Sequence, residues 1–355
     1  MKFRALKYTF VYLVPIVVSL SIWADSLWTY FAVFFVFGII PAIELFTHAS
    51  TYNLTEIEEE IAKNDQLYDW LLYLLVPAQY ALLLFFLFEI RQSQNLPLYL
   101  LIGKISAFGM ACGILGINAA HELGHRSTSY EQTMSKMLLL TTLYMHFFIE
   151  HNRGHHKNVS TDADPASSRY GETVYAFYFR SIWGSWISAW RLEAKRLAKK
   201  GLPFWSVHNQ MLRFQIIQLL LIAGIGIGFG LLTLLCFLAA ATIGFLLLET
   251  VNYIEHYGLR RKKKGDIYER VLPVHSWNSN HPIGRLALLE LSRHSDHHYM
   301  ASRKYQILRH FDQSPQMPTG YPGMMILALI PPLWFAVMHR QINKYKQMQV
   351  GEALA

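Results

Sequence analysis

Six long apolar runs, roughly 8–24, 27–47, 69–90, 97–120, 212–234 and 236–256, govern what this chain can fold into. Each approaches the roughly 20 residues that a helix needs to cross a bilayer core of about 30 Å. Inside hydrocarbon every backbone N–H and C=O must find its partner within the segment, which leaves helices as the solution for runs of this length. Composition agrees. Only 16% of residues are charged and 53% are hydrophobic, against about 25% charged in soluble domains. The expected fold class is therefore all-α integral membrane, with six transmembrane helices. Lys2, Arg4 and Lys7 precede the first run, but no small-residue cleavage site follows it, so the run reads as a retained span and not as a signal peptide. Little more than Asp25 and Ser26 joins the first two runs, and the last two meet around Leu235, so both pairs read as tight hairpins. Segments 132–149 and 323–339 are apolar but short or broken by proline, and read as buried or re-entrant.

Lys and Arg set the orientation, because they accumulate on the cytoplasmic side. With six spans and an inner N-terminus, the outer loops lie near 25, 90–96 and 235, and Arg91 is their only basic residue. Lys104 sits near the outer end of the fourth run and is expected to snorkel. The runs Arg191–Lys200 and Arg260–Lys264 fall inside. The reading is a multi-pass inner (plasma) membrane protein with both termini cytoplasmic, and the net charge of +8 reflects this bias and not nucleic acid binding. The whole chain, 1–355, reads as one domain, with a cytoplasmic cap formed by 121–211 and 257–355. Cys112 and Cys236 lie in apolar runs and read as inert thiols.

The cap carries the chemistry. Sixteen histidines are present, and nine fall into four clusters: His121 and His125 in HELGH; His151, His155 and His156 in EHNRGHH; His256 in NYIEHYGL; and His294, His297 and His298 in RHSDHH. Residues at i, i+3 and i+4 share a helix face, so each multi-histidine cluster can aim several imidazoles at one point. All four clusters lie on the side that Lys and Arg mark as cytoplasmic. Nine imidazoles exceed the four ligands of a zinc site and suit two ions with four or five nitrogens each. Imidazole serves zinc, copper, iron and nickel alike, so spacing leaves the metal open. HELGH alone also fits a zinc intramembrane protease, with its glutamate as general base, but a protease needs one further ligand and not three further clusters. A metal transporter needs ionisable residues along its spans, and these runs offer little besides Lys104 and Glu249.

HELGH, EHNRGHH and RHSDHH resemble the three histidine boxes of membrane di-iron oxygenases and desaturases. NYIEHYGL is similar to the fourth motif of the bacterial membrane alkane monooxygenases and their xylene monooxygenase relatives, as are DPASSRYGE, HSWNSNHP, RKYQILR and PTGYPG. The resemblance covers about residues 98–335. It implies a cytoplasmic site of two non-haem irons held by the nine histidines, electrons from rubredoxin and its reductase or a ferredoxin-type donor, and insertion of one oxygen atom of O2 into the terminal C–H bond of an apolar, alkane-like substrate. Alkyl side chains of aromatics and fatty acyl groups are the alternative substrates. Where the family usually carries Asn-Pro-Pro-Glu-Glu, this chain reads TYNLTEIEEE.

Further positions follow as expectations. Carboxylates next to metal-ligating histidines orient the rings through their second N–H, and Glu122, Glu150, Glu255 and Asp296 adjoin the nine, with His275 and His281 as further candidates in this supporting layer. His146 reads as a satisfied core histidine; His48, His208, His310 and His339 read as structural or exposed. The substrate is expected to enter from lipid through an apolar channel. Aligning on Gly38 and Pro41 places the family's chain-length-limiting position at Val36. The basic run Arg260–Lys264, directly after His256, is a candidate docking patch for an acidic electron donor.

Overall fold

A computed structural model describes residues 4–93 and 95–354, with 349–354 by backbone alone. Helix dominates it. The strands among the described residues are a two-residue pair, Lys263–Lys264 against Ile267–Tyr268. Among the described residues, six helices are long and apolar enough to cross a membrane: Arg4–Trp23, Leu27–Glu44, Gln66–Gln92, Leu98–Gly124, Gln210–Phe229 and Leu231–His256, numbered below as spans 1 to 6. They coincide with the six apolar runs to within a few residues, except at the last hairpin. That turn lies at Gly230 and not at Leu235. Gly230 has φ +89°, a conformation that a Cβ disfavours, so the chain reverses at the glycine and Leu231–Leu235 begin span 6.

Polar contacts tie the span ends into two faces. At one, Tyr8 at the start of span 1 donates to Glu290 Oε1 at 2.7 Å, and Tyr305 donates to the Tyr68 carbonyl near the start of span 3 at 3.0 Å. Buried Glu44, ending span 2, accepts from the Gly284 amide at 2.9 Å. At the other face, Arg91 donates to the Gly228 carbonyl at 2.6 Å. Lys104 corrects an expectation. Instead of snorkelling to water it is wholly buried, with Nζ 3.2 Å from Asp25 and 3.4 Å from Glu89. A buried ammonium needs such partners, and these carboxylates gather the ends of spans 1 to 4 remote from the cap.

Spans 4 and 6 approach backbone to backbone. A Cβ on Gly109 would lie 2.6 Å from the Ile243 side chain, one on Gly113 2.9 Å from Leu247, and one on Gly244 2.5 Å from Cys112. Gly109 and Gly113 form the small-xxx-small pattern that lets membrane helices pack closely. This contact brings the ends of both spans, and so His121 and His256, to one place. Cys112 and Cys236 are free and buried, as expected of inert thiols.

The cap is folded against the same face. Segment 132–149 becomes the helix Ser129–Leu140 followed by a turn and Phe147–Glu150, and 323–339 becomes Tyr321–Ala328 and Pro331–Leu354, broken at the proline pair. The helix Val174–Lys199, capped by Thr173 Oγ1, buries Val174, Phe177, Ser181, Ser185 and Ala189 along one stripe. Its exposed face carries Tyr175, Phe179, Trp183 and Ile187. That second stripe is apolar and suits the headgroup boundary of a bilayer.

Gly109→Leu or Gly113→Leu is expected to lower thermal stability in detergent by about 1–3 kcal/mol, the usual cost of overpacking, and to reduce retained metal. Gly224→Leu, where a Cβ meets nothing within 4 Å, is the control. Equal stability and metal content in all three would contradict the role given to this contact.

Candidate metal centre

The nine clustered histidines come together at the cap end of spans 4 and 6, in two groups and not one. His121, His125, His151, His156 and His297 form the first; His155, His256, His294 and His298 form the second; within each, the candidate ligand nitrogens all lie within 4.8 Å of one another. HELGH closes span 4, and its i, i+4 spacing sends both histidines to the first group. His256, the last residue of span 6, joins the second. The other two clusters divide. His151–His155 form a widened, π-type turn, which sends His156 to the first group and His155 to the second. On the short helix His294–Tyr299, His294 and His298 serve the second group while His297 serves the first. Two short segments thus clamp both groups side by side.

The spacing fits metal ligation. The Nε2 atoms of His121 and His297, His125 and His151, His151 and His156, and His156 and His297 are each 3.0 Å apart. In the second group, His155 and His298 are 3.2 Å apart, and His256 and His294 3.3 Å. Two imidazole nitrogens about 2.1 Å from a shared ion, held at a right angle, lie about 3.0 Å from each other. Burial keeps the rings uncharged, as ligation requires. It lowers His125 to about 3, and pushes His151, His156, His294, His297 and His298 well below the usual histidine range.

His155 differs, because burial lowers it but the neighbouring Asp164 charge more than reverses the shift. Its Nδ1 lies 2.9 Å from Asp164 Oδ2, which also accepts from Ser167 Oγ at 2.5 Å, while Oδ1 accepts from the Ala166 amide. This is the carboxylate–histidine pairing that fixes ring orientation and leaves Nε2 for the metal. Asp164 lies within DPASSRYGE, eight residues beyond His156, and sequence adjacency gave no signal of its role.

The adjacent acids do other work. Glu122 is held by Arg126 at 2.8 Å and by the Tyr305 amide at 3.2 Å, so it is not a free general base of the kind HELGH suggests in a protease. Asp296 is chelated by Arg303 and accepts from the Arg309 amide at 2.7 Å, anchoring the RKYQILR loop. Among the described residues, neither carboxylate hydrogen-bonds to a histidine ring, so the ring-orienting role expected from adjacency gives way to loop anchoring. Glu150 accepts from Ser188 Oγ at 3.3 Å, and burial raises its carboxyl to about 8. Glu255 does reach a ring, though not that of its neighbour His256: Oε2 is 3.1 Å from His294 Nε2, and Oε1 accepts from Tyr321 OH at 2.7 Å. His275 bonds to Glu269 and the Leu272 amide, and His281 to Ser279, so both serve local loop structure. His310 contacts Asp312 and His339 contacts Tyr257, while His48 and His208 are exposed. His146 is a correction. It is buried, but Nε2 has no hydrogen-bond partner among the described residues, so it is not a satisfied core histidine.

An apolar cavity runs from these histidines into the bundle. Its wall includes Val14, Val36, Met110 and Leu247, and its metal end includes His121, His151 and His294. Val36 therefore lies where a channel residue was expected. Spans 2 and 4 are both widened by π-type turns along this wall, at Phe35–Ile39 and Cys112–Asn118, a feature common at functional sites. From His121 to Met110 the helix rise gives a depth of about 16 Å. Polar atoms in the wall come from Asn118, Asn252, Glu255 and Tyr321.

Asp164→Asn is expected to weaken metal retention about 10- to 100-fold, the usual effect of losing such a supporting carboxylate, as measured by chelator competition. Unchanged affinity would show that His155 is oriented by something else.

Comparison with known proteins gives a consistent picture. The fatty acid desaturase family model matches residues 95–328. The chain is similar to alkane 1-monooxygenase 2 of Pseudomonas aeruginosa, with 41% identity over 90% of this chain and 85% of that protein. It is 40% identical to the alkane 1-monooxygenase of Acinetobacter baylyi, over 89% of this chain and 77% of that one. Similarity extends to the xylene/toluene monooxygenase hydroxylase component XylM of Pseudomonas putida, 30% identical over 73% and 69% of the two chains.

Proposed function

We propose, for a chain that belongs to the fatty acid desaturase family and to its alkane 1-monooxygenase branch, that the two histidine groups each hold one non-haem iron ion. The protein is a multi-pass membrane monooxygenase that hydroxylates alkanes. The observation that carries this reading is the meeting of an apolar, bilayer-embedded cavity with histidines of both groups. Bound iron supplies the reduction of O2 that attack on an unactivated terminal C–H bond requires.

The chain's own residues do the rest. The walls formed by Val14, Val36, Met110 and Leu247 take an extended apolar chain and exclude water. The cavity closes on the histidines, so the end of the chain arrives first and hydroxylation falls on the terminal carbon. Asp164 holds His155 in one tautomer. Glu255, fixed by Tyr321, sits between the second group and the cavity, where it orients polar species at the metal end. Termini on the cytoplasmic side of an inner membrane follow from the Lys and Arg asymmetry. The exposed residues of Arg260–Lys264 offer an acidic rubredoxin or ferredoxin-type donor a docking site beside His256.

The test is anaerobic purification with metal analysis, then turnover with rubredoxin, its reductase and O2 on alkanes from octane to hexadecane. About two irons per chain and 1-alcohol products are expected, with turnover falling as salt rises. Zinc in place of iron, with no O2 uptake, would contradict the reading. Val36→Trp is expected to shift activity toward shorter alkanes by narrowing the cavity; an unchanged chain-length profile would remove Val36 from the channel.

A further inference from the structure

A second cavity touches the same histidines. It is small and largely enclosed, shares Phe147, His151 and Asn252 with the apolar one, and is completed largely by Tyr144, His146, Glu150, His155, Ser185 and Glu249. Its character is polar although it lies deep in the bundle. Glu249 belongs to span 6 and is 1% exposed. An ionisable side chain inside a membrane span is costly, and such residues mark ion or proton pathways.

Among the described residues, two buried atoms of this wall, His146 Nε2 and Glu249 Oε2, have no partner in hydrogen-bond geometry, although Ser181 and Asn252 stand close to the Glu249 carboxylate. The other carboxylate oxygen is engaged, with Tyr144 OH donating to Oε1 at 2.8 Å. A buried polar atom left unsatisfied is costly. The cavity measures about 10 Å³, room for about one water, and a buried water needs two or more polar partners. On its wall Glu150 also accepts from Ser188 Oγ, and Ser188 is half-buried on the helix Val174–Lys199, which links the cavity toward the surface.

We propose that this cavity binds a water molecule between His146 Nε2 and Glu249 Oε2, and that Glu249 holds and passes the protons consumed at the histidine groups. The inference rests on the monooxygenase reading. That reaction takes RH, O2, two electrons from a one-electron iron protein and two protons, and yields ROH and H2O. The alkane's own cavity is too apolar to carry protons. A polar cavity that shares His151 with it and also touches His155 delivers them without wetting the substrate.

The test compares wild type, Glu249→Gln, Glu249→Asp and Tyr144→Phe in membranes. Glu249→Gln is expected to keep wild-type iron content and melting temperature, yet to hydroxylate at least roughly tenfold more slowly, with a larger solvent deuterium isotope effect. Glu249→Asp restores part of the rate. If Glu249→Gln does not fold, Tyr144→Phe is expected to show the same signature more weakly. Independently of turnover, the infrared spectrum of wild type, with or without metal, is expected to show a carboxylic acid carbonyl band that shifts in D2O and is missing from Glu249→Gln. Wild-type rate and isotope effect in Glu249→Gln, or loss of iron in step with activity, would overturn the proposal. Iron-loaded wild type that hydroxylates no alkane would sink the monooxygenase reading itself, and the proposal with it.

Discussion

Spans 4 and 6 touch backbone to backbone at Gly109, Gly113 and Gly244, and the histidines at their ends share a site because of that contact. HELGH closes one span and His256 closes the other, so the distance between these helices sets the distance between the two histidine groups. The remaining ligand-bearing segments are short turns that have no fixed position of their own. They are held by a layer of buried ion pairs and capped loops: Asp296 with Arg303, Glu122 with Arg126, and Glu290 with Arg285. Buried pairs of this kind add little net stability but fix geometry, because removing one partner strands a charge.

The same packing separates two environments that the chemistry needs together. An alkane requires a dry, apolar approach, whereas oxygen reduction requires neutral ligands, electrons and protons. Burial keeps the imidazoles uncharged, and the apolar cavity reaches them from within the bilayer. The polar groups stand at its metal end, in Glu255 and Tyr321, and in the largely enclosed pocket of Glu249 and His146. The basic hairpin after His256 is exposed at the surface of the cap.

Much of this architecture is legible in the sequence because a bilayer leaves so few alternatives. Apolar runs of helix-spanning length give the six spans directly, and only the turn at Gly230 moves, since left-handed backbone is invisible to hydropathy. The nine histidines are legible from clustering alone. Their division into five and four is not, because it depends on a widened turn at His151–His155 that sends adjacent histidines to different groups. Adjacency also misleads for the acids. Neighbours on a helix point about 100° apart, so Glu122 and Asp296 turn away from the rings beside them, while Asp164, remote in sequence, reaches His155. Lys104 and His146 depart from expectation for a related reason. Hydropathy does not say whether a buried polar atom has a partner, and one of the two has carboxylates while the other has a cavity.

The central claim is that these two histidine groups are two separate iron sites. Anomalous scattering collected at the iron edge from crystals of anaerobically prepared protein tests it most directly. Two peaks are expected, one among His121, His125, His151, His156 and His297, the other among His155, His256, His294 and His298. A single peak, or peaks that appear at the zinc edge and not at the iron edge, would contradict it.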